Sequence, residues 1–298
     1  MQKLFYILSL SLLIGLAGSC HSTDPVEKDR STALTLGVLP TMECLPFYYA
    51  DSMGIFDSLG IDIHLVTFDA AMDADTAFKN QLIDGIVTDM VKACVWEGEG
   101  DSLQMVMTGD LNMWLITAPK ARLLNVESVK EKIIGITRNS FADYFTDRIL
   151  SSVNLQSIDL NKPQINNIRI RTLMVNQNQY DGALLPEPFA NEAVARGAKR
   201  LTGSKDLHLN NMMCVLFGDS IYQTRKTEID KIRKAYDKAV KALNIDTTSR
   251  VLEYFPQAYR IEIPDSLYMY LPLSPSITPH DSMMADVKQW AKGRGLIK

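Results

Sequence analysis

From Leu34 onward the chain alternates short apolar runs with amphipathic stretches, and that alternation commits it to an α/β fold. Leu34–Leu39, Ile61–Phe68, Asp84–Thr88, Leu103–Thr108 and Met113–Thr117 read as strands. Between them, Pro46 suits the first position of a helix through Met53, and Gly54 suits its left-handed cap. Asp73 is placed to cap a helix whose Ala77, Phe78 and Leu82 share one face, and Met90–Trp96 reads as another helix. This pattern predicts one mostly parallel sheet with helices on its faces.

A second unit begins near Ala118. Val126–Lys132 reads as a short helix and Ile133–Thr137 as a strand. Asn139 or Ser140 is placed to cap a helix with an apolar stripe of Phe141, Tyr144, Phe145, Ile149 and Val153. Ile168–Leu173 and Asp181–Leu185 read as further strands, and Pro188 opens a helix that Gly197 closes. Met212–Phe217 is strand-like and carries the chain back. Ile229, Ile232, Tyr236, Ala239, Val240 and Leu243 then mark an amphipathic helix of about five turns. Thr247 or Thr248 caps another helix that ends before Pro256, and Val287 and Trp290 lie on a last one stopping near Gly293.

Ahead of the folded body, Lys3 precedes an apolar run from Leu4 to Leu16, and small residues then lead to Cys20. These are the parts of a secretory signal, and the run is too short to span a bilayer. The ending Leu-Ala-Gly-Ser-Cys predicts cleavage after residue 19 and lipidation of Cys20, with 20–30 as a polar tether. The expected location is therefore the cell envelope, exported and membrane-anchored through the N-terminal lipid.

The chain carries 31 basic and 35 acidic residues, and loss of the leader removes only Lys3. No basic stripe with interleaved aromatics appears, which argues against a nucleic-acid partner. Cys44, Cys94 and Cys214 allow at most one disulfide, and their spacing fits neither a disulfide scaffold nor a zinc ribbon. Buried thiols and gap-filling methionines are expected there rather than metal ligands. No cofactor is expected.

Four stretches carry a family resemblance. They are Gly37-Val38 through Pro46-Phe47-Tyr48-Tyr49-Ala50 to Gly54-Ile55-Phe56, then Asp84–Asp89, then Asp181–Ala190 with its Glu-Pro-Phe, and finally Trp290 to Ile297. In this order the chain resembles the NMT1-like group, also called SsuA/THI5-like, of type II periplasmic binding proteins. The resemblance implies a two-lobed Venus-flytrap α/β fold, each lobe a mixed, mostly parallel sheet flanked by helices. Lobe one is expected over 31–117 plus 215–298, and lobe two over 118–214. It also implies a monomer that binds a small solute for an ABC permease and ATPase and performs no chemistry.

In open α/β sheets ligands sit beyond the carboxyl ends of strands. Those ends nominate Thr41 and Glu43, then Asp69, then Thr88 and Asp89, and from the second lobe Asn139, Ser140 and Glu187. A helix N-terminus offers Ser140 and Asn139 a ligand role, with simple capping as the alternative. Glu187 lies between two prolines, either an acceptor for a donor-rich ligand or an acid offsetting a helix dipole. Tyr48, Phe68, Trp96 and Trp114 are placed to stack on a flat ring or to fill core. Arg138 is the single base at an obvious turn of the second lobe. That excess of acids favours a thiamine-precursor-like pyrimidine or other amino heterocycle over sulfonate or nitrate. The competing functions are an enzyme of thiamine or menaquinone precursor metabolism on the same fold, and a solute sensor without a transporter. The scattered histidines, His21, His64, His208 and His280, match no catalytic motif.

Overall fold

A computed structural model describes residues 32–280 and 284–298. The leader at 1–19, the tether at 20–30 and Cys20 lie outside the described residues. The strands are β1 (Leu34–Val38), β2 (Ile63–Thr67), β3 (Gly85–Asp89), β4 (Leu103–Gly109), β5 (Met113–Thr117), β6 (Ile134–Gly135), β7 (Gly182–Pro186), β8 (Lys199–Gly203) and β9 (Met213–Gly218). The helices are α1 (Leu45–Ser52), α2 (Ile55–Ser58), α3 (Ala71–Lys79), α4 (Met90–Glu99), α5 (Phe141–Ser152) and α6 (Ile168–Asn176). After them come α7 (Phe189–Ala195), α8 (Asp219–Ile229), α9 (Ile232–Leu243) and α10 (Ala285–Gly293).

Two sheets divide the strands. The first has the order β2-β1-β3-β9-β4, and the second β6-β7-β5-β8. In the first, β1 runs parallel to β2 and β3, and β9 alone is reversed against its neighbours β3 and β4. In the second, β6 is parallel to β7, and β5 is reversed against β7 and β8. Each sheet is therefore mixed but mostly one-directional, and its reversed strand is the one on which the chain has just crossed over. This is the two-lobed type II arrangement.

The structure corrects several local expectations. The strand pattern places Met113–Thr117 in the first sheet, but β5 pairs in the second. An apolar strand buried on both faces carries no signal of which sheet it joins. Ile168–Leu173 is helical, not extended. Ile-Arg-Ile-Arg alternates with period two, yet Asn167 accepts the Ile170 N–H at 3.0 Å as an N-cap. Ile168, Arg171, Thr172 and Val175 then share one buried helical face. The five-turn helix breaks after Ile229, leaving α8 and α9. Ala70 rather than Asp73 precedes α3, and Asp73 sits in its first turn. Thr248 caps a 3-10 stretch over Ser249–Tyr254, and β8 has no counterpart in the sequence reading.

Apolar burial holds the layers. Leu34, Leu36 and Val38 of β1 are fully buried, and Phe47 of α1 packs on Tyr236 of α9 with ring centroids 5.2 Å apart. Burying each such side chain contributes about 1.5–3 kcal/mol. The halves also touch directly. Ala70 forms an isolated antiparallel bridge with Asn167, and the Met42 N–H donates to Glu187 O at 2.9 Å. Where the chain crosses, Asp110 Oδ1 accepts the Asn211 N–H at 3.2 Å and Asp110 Oδ2 accepts Ser274 Oγ at 2.6 Å.

Candidate functional site

The charged groups of the site arrive after strand ends or in the N-terminal halves of helices. β1 runs into the turn that carries Thr41, Glu43 and Cys44. Thr41 Oγ1 donates to Glu43 Oε1 at 2.7 Å. Burial pushes the Glu43 carboxyl up to about 7; the Thr41 bond opposes that shift and the Asp89 charge adds to it. β3 runs into α4, where Asp89 is the N-cap, its Oδ1 accepting the Val91 and Lys92 N–H groups at 3.0 Å each. The Lys92 ammonium pairs with Asp75 Oδ2 of α3, while Asp75 Oδ1 is buried with no partner. Burial also raises the carboxyls of Asp75 and Asp89, with Lys92 opposing in both cases.

The second sheet supplies the opposite wall. Ser140 caps α5, its Oγ accepting the Ala142 N–H at 3.2 Å and donating to Thr137 O at 2.7 Å. Arg171 of α6 is 2% exposed, and its Nη1 donates to Thr137 Oγ1 at 2.8 Å and Ile165 O at 2.9 Å. Its Nε is buried with no partner, and burial lowers its pKa to about 10. Between the walls lies a cavity of about 60 Å³. Because β5 is reversed, its N-terminal end closes one side with Leu111 and Met113. Most of its accessible lining is apolar, with the charged groups set into the walls, so such a cavity can hold a small organic molecule that has a polar group. The Cys44 thiol also lines it, but burial and then the Glu43 charge push its pKa well up, so it is held as the weakly nucleophilic thiol.

The sequence profile of the NMT1-like family matches residues 27–252. The chain belongs to the NMT1-like family. No curated protein matches it in sequence. Solved structures similar to this NMT1-like chain include the periplasmic aliphatic sulphonate binding protein SsuA from Escherichia coli. That match has 16% identity and a TM-score of 0.72 over 89% of this chain and 94% of that one. The alkanesulfonate-binding SsuA from Xanthomonas axonopodis pv. citri, bound to MOPS, has 15% identity and a TM-score of 0.75 over 91% and 96%. The nitrate-binding NrtA from Synechocystis PCC 6803 has 11% identity and a TM-score of 0.69 over 90% and 83%. At these identities the likeness shows the fold.

Of the residues nominated from sequence in this NMT1-like chain, Thr41, Glu43, Thr88, Asp89 and Ser140 line the cavity together. Tyr48 does not: it is core, with its hydroxyl 3.0 Å from Thr67 Oγ1 and its ring edge-on to Phe255. Asp69 and Asn139 are exposed at the surface, Asn139 at a positive φ of 53°. Glu187 lies outside the cavity, buried against Arg200 Nη2 at 3.0 Å and accepting the Asn191 N–H at 3.0 Å. Arg138 is exposed and donates to Lys162 O. Phe68, Trp96 and Trp114 also lie outside the cavity, Trp96 stacking on Phe78 and Trp114 lying under Arg200. Cys44, Cys94 and Cys214 are buried and unpaired. Asp75, Lys92 and Arg171 were not anticipated. Lys92 and Arg171 lie on helices at i+3 from an N-cap or an apolar anchor, a spacing readable once α6 is recognised as helical.

Proposed function

We propose that the chain is the extracytoplasmic solute-binding protein of an ABC importer. It closes its two lobes over a small polar solute, delivers it to the permease unchanged, and works as a monomer tethered by lipid on Cys20. One observation carries the reading: charged groups from two separate sheets, linked by two crossings, converge on one cavity between them. Enclosure by hinged halves makes closure itself the occupancy signal. The named ligands of the similar proteins, aliphatic sulphonates, MOPS and nitrate, are small solutes, which is consistent with this reading.

An amino donor on the solute matches the acids Glu43, Asp75 and Asp89. The amino heterocycle favoured by the excess of acids keeps that match, yet the aromatics nominated to stack on it lie outside the cavity. An enzyme on the same fold finds less support. Cys44 is a protonated thiol, and His64, His208 and His280 are not among the lining residues.

The test is native mass spectrometry of the protein purified from its own envelope, followed by uptake assays in a deletion strain. A copurified small solute whose uptake is lost on deletion supports the proposal. A bound solute with unchanged uptake would move the function to sensing. Replacement of Cys20 by Ser is expected to release the protein from the membrane fraction.

A further inference from the structure

Away from the cavity, residues 257–277 form a strap of irregular chain with two 3-10 turns, Gln257–Tyr259 and Asp265–Leu267. The first lobe holds it on either side of Met269. Before that residue, Asp265 Oδ1 accepts the Ser249 N–H at 2.9 Å and Ser249 Oγ at 2.6 Å. After it, Asn244 accepts the Leu273 N–H at 2.9 Å and donates to Leu273 O at 2.8 Å, and Ile277 bridges Thr108 of β4. The second lobe holds the strap between these anchors and upstream of them. Asn191 of α7 accepts the Met269 N–H on Oδ1 at 2.8 Å and donates Nδ2 to Met269 O at 3.2 Å. Arg169 of α6 donates Nη2 to Ala258 O at 3.0 Å, with its guanidinium 5.4 Å from the Tyr259 ring centroid. Asn191 is 1% exposed, and its Oδ1 also accepts Arg200 Nη2 at 2.9 Å. Two donors on Oδ1 fix which way the amide points and leave Nδ2 for Met269 O. A side-chain amide that pairs both backbone groups of one residue acts as a rung of a sheet. Breaking this rung strands a buried donor, so it parts less readily than a surface contact.

We infer that the strap is a clasp across the seam between the lobes, fastened by Asn191, and that the lobes separate when Met269 leaves it. Because the first lobe grips the strap on both sides of Met269, the second lobe cannot swing away without breaking the rung or pulling up an anchor. The rung also stands beside a direct seam contact. Glu187 accepts the Asn191 N–H on its carboxylate and the Met42 N–H of the first lobe on its carbonyl. The chain without solute therefore rests closed, and release of the clasp, added to bending of the two crossings, sets how often it opens. The inference concerns the empty chain and stands apart from the solute-binding reading above.

The test is pulsed electron double resonance on the purified chain with no ligand added and nitroxides carried by Ser52→Cys and Gln177→Cys. Both sites are exposed at the outer ends of α1 and α6, and Cys44, Cys94 and Cys214 are buried. The parent is expected to give a single narrow distance. Asn191→Ala is expected to enlarge the long-distance component by about 5- to 30-fold, as loss of two hydrogen bonds does. Arg169→Ala, at a half-buried position, is expected to enlarge it by about 3-fold and serves if the first variant does not fold. Gly182→Ala strains the second sheet away from the strap and is expected to leave the distances as they are. Unchanged distances in the folded clasp variants overturn the inference, as does a parent distribution that is already broad. Equal broadening in Gly182→Ala overturns it too, since opening would then follow from lost stability alone.

Discussion

The indole N–H of Trp290 donates to Asp147 Oδ2 at 3.0 Å. Trp290 sits on α10, which packs against α4 beside the first sheet, whereas Asp147 belongs to α5 beside the second. Arg294, one turn on, reaches Asp143 Oδ2 at 3.4 Å and Asp147 Oδ2 at 3.6 Å. The last helix thus latches the two halves behind the cavity, since α5 begins with Ser140 at its wall. Trp290→Phe keeps the ring packing against Tyr144 and removes only the donor. It is expected to speed solute release by about 3- to 10-fold, the worth of one hydrogen bond. Stopped-flow dissociation measures this, and an unchanged rate would mean that the contact does not hold closure.

Glu43 makes the unliganded protein more stable in acid. Its carboxyl is raised to about 7 in the folded state from an ordinary 4.5, so the native state holds a proton that the unfolded chain releases. The favourable contribution is complete below the unfolded pKa and is lost as pH rises through about 7. At pH 8 the cost is at most about 3 kcal/mol. Glu43→Gln is therefore expected to raise the melting midpoint at pH 8 and to flatten its dependence between pH 5 and pH 8, followed by calorimetry. An identical slope in variant and parent would contradict this.

Glu187 is expected to matter for stability and not for affinity. Its carboxylate is shared between Arg200 and the Asn191 N–H, and Asn191 in turn holds the Met269 N–H at 2.8 Å. Arg200→Met leaves that buried acid without its cation and is expected to cost about 3 kcal/mol in urea titration. Solute affinity should stay within experimental error, and a large affinity loss at unchanged stability would put Glu187 back in the site.

Gly182 has a specific spatial reason to be glycine. A Cβ there would stand 2.5 Å from the backbone oxygen of Ile116 on the paired strand β5. Gly182→Ala is expected to cost about 1–3 kcal/mol by forcing β7 off β5. Gly293→Ala at the end of α10, with no atom within 4 Å of the added carbon, is the control. Equal midpoints in the two variants would remove the packing argument.

The fold was legible where local chemistry and burial agreed. Apolar runs mark eight of the nine strands among the described residues, the Ser140 cap is where the sequence puts it, and Pro46 is the second residue of α1 rather than the first. The exceptions have physical causes. Lys199–Gly203 is too polar to read as a strand and forms one because β5 offers it an open edge. Ile168–Leu173 alternates like a strand, and that misreading hid Arg171, the cation that changes the charge balance of the site. Five of the cavity's lining residues followed from the strand-end rule, namely Thr41, Glu43, Thr88, Asp89 and Ser140. The rule does not say which polar strand-end residue finds an internal partner, as Glu187 does with Arg200, or turns outward, as Asp69 does.

β9 lies between β3 and β4, although more than a hundred residues separate it from them along the chain. Synthesis therefore leaves the first sheet with a missing middle rung until residue 218 has emerged. The first sheet cannot finish folding ahead of the second, whose four strands all lie between residues 113 and 203, and a cut in the gene before β9 would leave the first sheet without its middle strand.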